Sequence, residues 1–309
     1  MTIRAALDEA TATLRAAGVD TPRVDAEWLL ADLLPGGRRD VVLGLDRALD
    51  AGLAARYRGV VHRRAAREPL QLIRGWQDFL DIRVGLAAGV LVPRPETETL
   101  AEWALALLPP PAAGRRPLVV DVGTGSGCIA AAIAHAREDA RVLAVELDLQ
   151  TARVAAFNVA RLGLGDRVTV IAADALTTVA EGAVDLIVSN PPYLPTDLLP
   201  GLPPEVSGHE PALALDGGHD GMAVIRRLIE SAPRRLRPSG VLVLETAGDL
   251  QARRAAASMR ALGMTEVATR RDLTGIERFV AGTSPATLSP DRRTPEPGSG
   301  APTAYQEDR

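Results

Sequence analysis

The sequence predicts an α/β protein in which a small helical domain precedes a mostly parallel β-sheet. Residues 96–283 alternate short apolar runs with amphipathic stretches, a pattern typical of parallel strands joined by helices. Residues 1–75 show helical spacing alone. Only a short polar turn separates the last two apolar runs, so we expect an antiparallel finish to the sheet. The predicted strands are 118–122, 141–145, 167–171, 184–188, 240–244, about 265–269 and about 277–281, and the predicted helices between them are 127–137, 149–162, 221–236 and 249–262.

The segments outside this α/β region have simpler patterns. Residues 1–75 predict three helices, the third at about 50–66, and carry no visible chemistry, so we expect a domain that docks or positions a substrate. Residues 76–95 combine β-type side chains with two glycines and predict a β-hairpin linker. Residues 284–309 consist mainly of Pro, Ser, Thr and charged residues, so we expect a disordered tail.

Composition excludes several classes of protein. The chain has 309 residues, of which 47% are hydrophobic and 24% charged, as in an ordinary globular protein. A net charge of −4 argues against a dedicated nucleic-acid partner. A single cysteine, Cys128, excludes an internal disulfide, and the four histidines lack ligand spacing, so we expect no metal. The absence of a signal peptide and of a membrane-length apolar run predicts a cytoplasmic protein without a membrane partner.

A glycine-rich loop follows the first predicted strand and opens a helix. Its sequence is Asp-Val-Gly-Thr-Gly-Ser-Gly-Cys at 121–128. A dinucleotide fingerprint would need Gly or Ala at position 128, where Cys stands. The spacing instead suits a ligand without a pyrophosphate, such as S-adenosylmethionine. The candidate cofactor-binding residues of the loop are Gly123, Thr124, Gly125, Ser126 and Gly127.

Acidic residues stand at the ends of the next two predicted strands. Glu146 ends the second strand, where a carboxylate accepts ribose hydroxyls in nucleotide-binding α/β folds, and Asp148 is either its alternative or a helix cap. Asp174 follows the third strand and could accept from an adenine amino group, with the Ala175 amide beside it; a turn or cap is the competing interpretation.

The tetrapeptide Asn190-Pro191-Pro192-Tyr193 follows strand 184–188 at the same edge. Its prolines remove two backbone donors, so the segment is rigid and presents carbonyl acceptors. Asn190 adds an amide, and Tyr193 adds a flat face. We expect this loop to hold a planar –NH2 group. The Asn190 side chain and the Pro191 carbonyl would accept hydrogen bonds from its two N–H groups. The candidate catalytic residues are Asn190, Pro191 and Tyr193, Pro192 joins them in substrate binding, and Asn190 also borders the cofactor.

These two loops resemble those of class I S-adenosylmethionine-dependent methyltransferases that act on planar amino or amide nitrogens. Further segments resemble the release factor glutamine methyltransferase family: 69–75 (PLQLIRG), 92–98 (VPRPETE), 210–221 (EPALALDGGHDG) and 272–278 (DLTGIER). The resemblance implies a Rossmann-like, seven-stranded sheet and methylation of the glutamine in the Gly-Gly-Gln motif of class I peptide chain release factors. It also implies S-adenosylhomocysteine as the product. Ala175 departs from the family, whose members often have an aromatic residue there.

Other functions remain open from the sequence. An N6-adenine nucleic-acid methyltransferase shares the rigid loop, because adenine N6 is also a conjugated amino group. A related enzyme methylates a glutamine of a ribosomal protein, and a binding protein could retain the fold. Arg94, Glu96 and Glu98 either line the path of the glutamine or form an interdomain cluster of ion pairs and caps. For His209, a general base is the less favoured role.

Overall fold

The computed structural model describes residues 1–111 and 114–285. Most of the segment predicted to be a disordered tail, 286–309, lies outside the described residues. Ser284 still belongs to the sheet region, since its amide donates to the Gly240 carbonyl at 2.7 Å.

The N-terminal region folds into five short helices around its own core. Thr2 and Asp50 cap the first and fourth helices with their side chains, and the Tyr57 hydroxyl donates to the Ala26 carbonyl at 2.9 Å inside the core. The third and fifth helices were not predicted. The helices are α1 (Ile3–Ala16), α2 (Pro22–Ala31), α3 (Arg38–Leu43), α4 (Ala51–Ala65) and α5 (Leu70–Arg74).

A two-stranded antiparallel hairpin, β1 (Trp76–Phe79) and β2 (Ile82–Gly85), follows as predicted. The Arg74 guanidinium lies over the rings of Trp28 and Trp76, at 4.4 and 3.8 Å from their centroids. This cation–π stacking joins the helical domain to the hairpin.

A seven-stranded sheet forms the remainder of the chain, in the order β5-β4-β3-β6-β7-β9-β8. Its first five strands are parallel, and β9 is antiparallel to both β7 and β8, which confirms the predicted antiparallel finish. The predicted α/β fold class is therefore confirmed. The strands are β3 (Leu118–Val122), β4 (Arg141–Glu146), β5 (Val168–Ala172), β6 (Val184–Ser189), β7 (Leu236–Glu245), β8 (Thr265–Arg271) and β9 (Glu277–Thr283).

Helices cover both faces of this sheet and bury one apolar cluster on each side. The sequence pattern did not predict α6, which begins at Pro95 after an extended segment. Asp148 caps α8 by accepting from the Thr151 amide at 2.7 Å, so its capping role is confirmed. The helices are α6 (Pro95–Leu107), α7 (Cys128–Ala136), α8 (Leu149–Arg161), α9 (Pro204–Ser207), α10 (Ala223–Arg235) and α11 (Asp249–Ala261). No helix within the described ranges is long and apolar enough to span a bilayer.

Candidate active site

The glycine loop connects β3 to α7 at the carboxyl edge of the sheet. Gly123, Gly125 and Gly127 all have positive φ angles, of 69°, 59° and 82°. A Cβ on Gly123 or Gly125 would meet no atom within 4 Å, whereas one on Gly127 would lie 3.2 Å from the Ala155 Cβ of α8. The first two glycines therefore leave open space for a ligand against the backbone, and the third permits close packing of two helices.

Buried side chains fix the shape of this loop. The Asp121 carboxylate accepts from the Thr124 hydroxyl at 2.5 Å and from the Ala130 amide at 3.1 Å. Ser126 is also buried, and its carbonyl accepts from Asn158 Nδ2 at 2.8 Å. Burial raises the pKa of Asp121 to about 7, against the two hydrogen bonds, which lower it.

The Glu146 carboxylate lies directly beside the glycine loop. It accepts from the Gly125 amide at 2.9 Å and from the amides of Leu147 and Asp148 at 2.8 and 3.1 Å. These bonds use three of its roughly four acceptor positions and hold it at the end of β4. The glycine loop and Glu146 are thus brought together, and the open backbone beside a fixed carboxylate fits a nucleoside.

Asp174 follows β5 at the same edge but makes a different contact. Its carboxylate is half exposed and pairs with Arg227 of α10 at 2.9 Å, while its carbonyl accepts from the Thr177 amide. Ala175 has a positive φ of 47°, a backbone conformation that is uncommon for a residue with a side chain. The structure therefore places Asp174 in a turn. Its carboxylate bonds to Arg227 and not to Glu146 or the glycine loop.

The Asn190–Tyr193 loop leaves the end of β6 and is supported from behind by residues 215–221. Leu194, which follows the loop, makes two backbone hydrogen bonds to this segment: its amide donates to the Leu215 carbonyl at 3.0 Å, and its carbonyl accepts from the Gly217 amide at 2.8 Å. Gln251 Nε2 donates to the Tyr193 carbonyl at 2.9 Å. The loop is therefore held in one position before any ligand binds.

A buried chain of hydrogen bonds ends on this loop. Asn190 Nδ2 lies 3.0 Å from Thr97 Oγ1, and Thr97 Oγ1 lies 2.9 Å from Glu245 Oε2. The Tyr193 hydroxyl lies 3.3 Å from Glu245 Oε1. Burial raises the pKa of Glu245 to about 7, while its hydrogen bonds and the charge of Arg278 act in the opposite direction. Burial and the neighbouring Glu245 also raise the pKa of Tyr193, so its hydroxyl is neutral and a donor at physiological pH.

A cavity of about 200 Å³ opens in front of Asn190 and Tyr193. Its walls are otherwise mostly apolar, and Arg94 contributes the charged group. Arg94 pairs with the buried Glu210 at 2.5 Å, and burial raises the pKa of Glu210. Glu98 instead accepts from the Leu80 amide of the hairpin at 3.1 Å. The lining residues are Leu91, Arg94, Asn190, Tyr193, Leu194, Leu202, Val206, Ala214 and Leu215.

One wall of the cavity is tied to the helical domain. Glu205, between the lining residues Leu202 and Val206, accepts from Arg64 at 3.0 Å and from Arg67 at 2.6 Å. Both arginines belong to the end of the N-terminal domain, and Arg64 also pairs with the buried Asp25 at 2.7 Å. These ion pairs hold the Glu205 carboxylate and keep its pKa below the ordinary value despite partial burial.

Sequence reasoning missed Thr97, Glu245 and Asn158 as parts of the site. Glu245 ends a parallel strand, and the rule that selected Glu146 and Asp174 would have found it. Asn158 is a fully buried polar residue on the face of α8 that packs on the core, where it bridges Ser126 to Gly85 of the hairpin. Thr97 has no local signal, because its partners are distant in the sequence.

Comparison with known proteins assigns a class to this arrangement of sheet and loops. Residues 104–196 match the methyltransferase small domain. The catalytic domain of human Mettl16 has a similar fold, with a TM-score of 0.55 at 18% identity over 72% of this chain and 82% of that chain. The protein is a methyltransferase with an α/β fold, as the sequence analysis predicted.

The family follows from the full length of the chain. Residues 5–75 match the PrmC N-terminal domain. A release factor glutamine methyltransferase from Mycolicibacterium smegmatis is 44% identical over 91% of this chain and 97% of its own length. Another, from Geobacter sulfurreducens, is 40% identical over 91% of this chain and 96% of its own length. The chain belongs to the release factor glutamine methyltransferase family, which confirms the resemblance inferred from its motifs.

Proposed function

We propose that this protein transfers a methyl group from S-adenosylmethionine to the side-chain amide nitrogen of the glutamine in the Gly-Gly-Gln motif of class I release factors. The observation that carries the proposal is the rigid Asn190–Tyr193 loop, whose Asn190 and Tyr193 border a cavity of about 200 Å³. Membership of the family supports the choice of release factors. Because such a substrate is a translation factor, we place the reaction in the cytoplasm.

The proposed cofactor site consists of the glycine loop, Glu146 and, at its far end, Asp174 with the Ala175 amide. When bound, S-adenosylmethionine supplies a methyl carbon activated by the sulfonium charge. Gly123 and Gly125 leave the backbone open to the ligand, and Glu146 has acceptor capacity left for a ribose hydroxyl. Asp174 Oδ2 pairs with Arg227, which leaves Oδ1 as the acceptor for an amino group, and because this carboxylate is half exposed we expect the smallest contribution to affinity from it.

The residues of the loop compensate for the poor nucleophilicity of an amide nitrogen. Its lone pair is delocalised into the carbonyl, so the –NH2 group must be held with its lone pair toward the methyl carbon. Asn190 Oδ1 and the Pro191 carbonyl accept hydrogen bonds from the two N–H groups of the substrate amide. The face of Tyr193 packs on the plane of that amide. Both acceptors stabilise the positive charge that develops on nitrogen, and one N–H proton leaves to solvent after transfer.

The test uses the full-length protein, labelled S-adenosylmethionine and a purified class I release factor. Mass spectrometry is expected to place one added methylene mass on the Gly-Gly-Gln glutamine. Label on another residue, on a ribosomal protein or on a DNA oligonucleotide would contradict the proposal. Asn190→Ala is expected to retain cofactor binding by isothermal titration while turnover falls at least about 100-fold. The absence of a metal and of a bound nucleic acid remain predictions.

A further inference from the structure

The hydrogen-bond chain behind Asn190 has a fixed direction. A carboxylate only accepts hydrogen bonds, so an ionised Glu245 takes the single proton of the Thr97 hydroxyl. Thr97 Oγ1 then has only lone pairs to offer, and Asn190 must present its Nδ2 donor to it. The Asn190 Oδ1 acceptor is left for the cavity side of the loop.

We propose that Thr97 and Glu245 are positioning residues, which act through this chain to keep the acceptor end of the Asn190 amide toward the substrate. The inference rests on the proposed function, because it concerns how that site distinguishes a donor from an acceptor. A substrate –NH2 group offers two donors. An Asn190 amide turned by 180° would bring its own N–H groups against them, and the acceptor that the reaction needs would be lost.

Burial keeps water from competing for the hydrogen bonds between Asn190, Thr97 and Glu245. Thr97 and Glu245 are only 2% and 1% exposed. They lie on different elements, Thr97 in the first turn of α6 and Glu245 at the end of β7, and both elements are anchored in the apolar core. An isolated Asn190 side chain would turn between its two amide orientations, whereas this arrangement selects one.

The charge of Glu245 determines whether the chain keeps its direction. Four groups face this carboxyl: the hydroxyls of Thr97 and Tyr193, the guanidinium of Arg278 on β9, and the carboxylate of Glu96 on α6. The pKa of Glu245 is raised to about 7 by burial, which exceeds the lowering by its hydrogen bonds and Arg278. Protonated Glu245 becomes a donor, and the Thr97 hydroxyl is then free to turn its proton toward Asn190. We therefore expect turnover to fall as the pH drops below about 7.

A spectroscopic test needs no substrate. The protein contains only two asparagines, Asn158 and Asn190. Protein labelled with ¹⁵N-asparagine therefore shows the signals of two side-chain NH2 groups. In the wild type, the Asn190 signals are expected to titrate with a midpoint near pH 7, whereas those of Asn158, which bonds to backbone groups, serve as the internal control. In Glu245→Gln the titration should disappear. Asn190 signals that stay constant, or that titrate equally in Glu245→Gln, would overturn the proposal.

Kinetics with a release factor provide the second test. Thr97→Val preserves the shape of Thr97 but removes its hydroxyl, and Thr97→Ser retains the hydroxyl as a matched control. We expect Thr97→Val to lower kcat about 10- to 100-fold with little change in cofactor affinity, and Thr97→Ser to remain within about threefold of wild type. Equal kcat values for the two variants would refute the role of Thr97. A wild-type protein that leaves the release factor unmodified would refute the proposed function instead, and the spectroscopic test would still decide on the hydrogen-bond chain.

Discussion

Gly217→Ala should displace the Asn190–Tyr193 loop by pressing on the Pro192 carbonyl from outside the loop. An added Cβ would lie 2.8 Å from the Pro192 carbonyl oxygen and 2.7 Å from the Gly221 carbonyl oxygen, closer than real Cβ atoms come to such neighbours. Relaxation to an ordinary contact of about 3.4 Å requires a movement of about 0.6 Å, and only backbone atoms are available to move. Gly217 does not have a positive φ, so strain from an unfavourable backbone conformation is excluded as a cause.

The expected cost is about 1–3 kcal/mol of stability, and a loop shift of this size is expected to lower kcat about 10-fold. The assay measures thermal unfolding, cofactor affinity and turnover of a release factor in parallel. Gly165→Ala is the matched control, because its Cβ would meet nothing within 4 Å. A Gly217→Ala variant with a wild-type kcat would show that the position of the loop tolerates this movement. Equal losses in kcat and cofactor affinity would show that the damage is not confined to the loop.

Three further predictions concern the cofactor, the helical domain and pH. Glu146→Ala is expected to weaken cofactor binding about 10- to 100-fold by isothermal titration, since a charged acceptor is lost; unchanged affinity would remove Glu146 from the site. Gly59→Ala, in the exposed interior of α4, is expected to raise the free energy of unfolding by about 0.5–1 kcal/mol in urea titrations, and a decrease would contradict the assigned helix. Burial raises the pKa values of Asp121 and Glu245 to about 7, so the folded state retains protons that the unfolded state releases, and the melting temperature is expected to fall as the pH rises from 5 to 8. Asp121→Asn should reduce this slope, and an equal slope in the variant would refute the assignment.

The sequence was most informative where chemistry and secondary structure occupy the same short segment. The glycine loop, Glu146 and the Asn190–Tyr193 loop each follow an apolar strand directly, and parallel strands bring their carboxyl ends to one edge. The alternation of strands and helices also indicated the fold class. These features depend on local spacing, so they can be recognised without knowledge of the strand order.

Features that depend on long-range contacts were not predictable in this way. Thr97 and Glu245 are 148 residues apart, and their hydrogen bond exists only because α6 packs beside β6 and β7. The insertion of β9 between β7 and β8 likewise carries Arg278 to the site, although nothing in its local pattern specifies that neighbour. Helix α6 itself escaped prediction because its Pro-rich start follows β-type residues and resembles a loop.

Glu205 gives the helical domain a second role besides any contact with a partner. Its carboxylate pairs with two arginines from the N-terminal region, and the neighbouring residues Leu202 and Val206 line the cavity, so the helical domain supports this part of the cavity wall. A shortened protein that lacks the helices would therefore differ from the complete one in the shape of its substrate cavity as well as in recognition. Exchange of this domain between relatives would need to carry its arginines along with it.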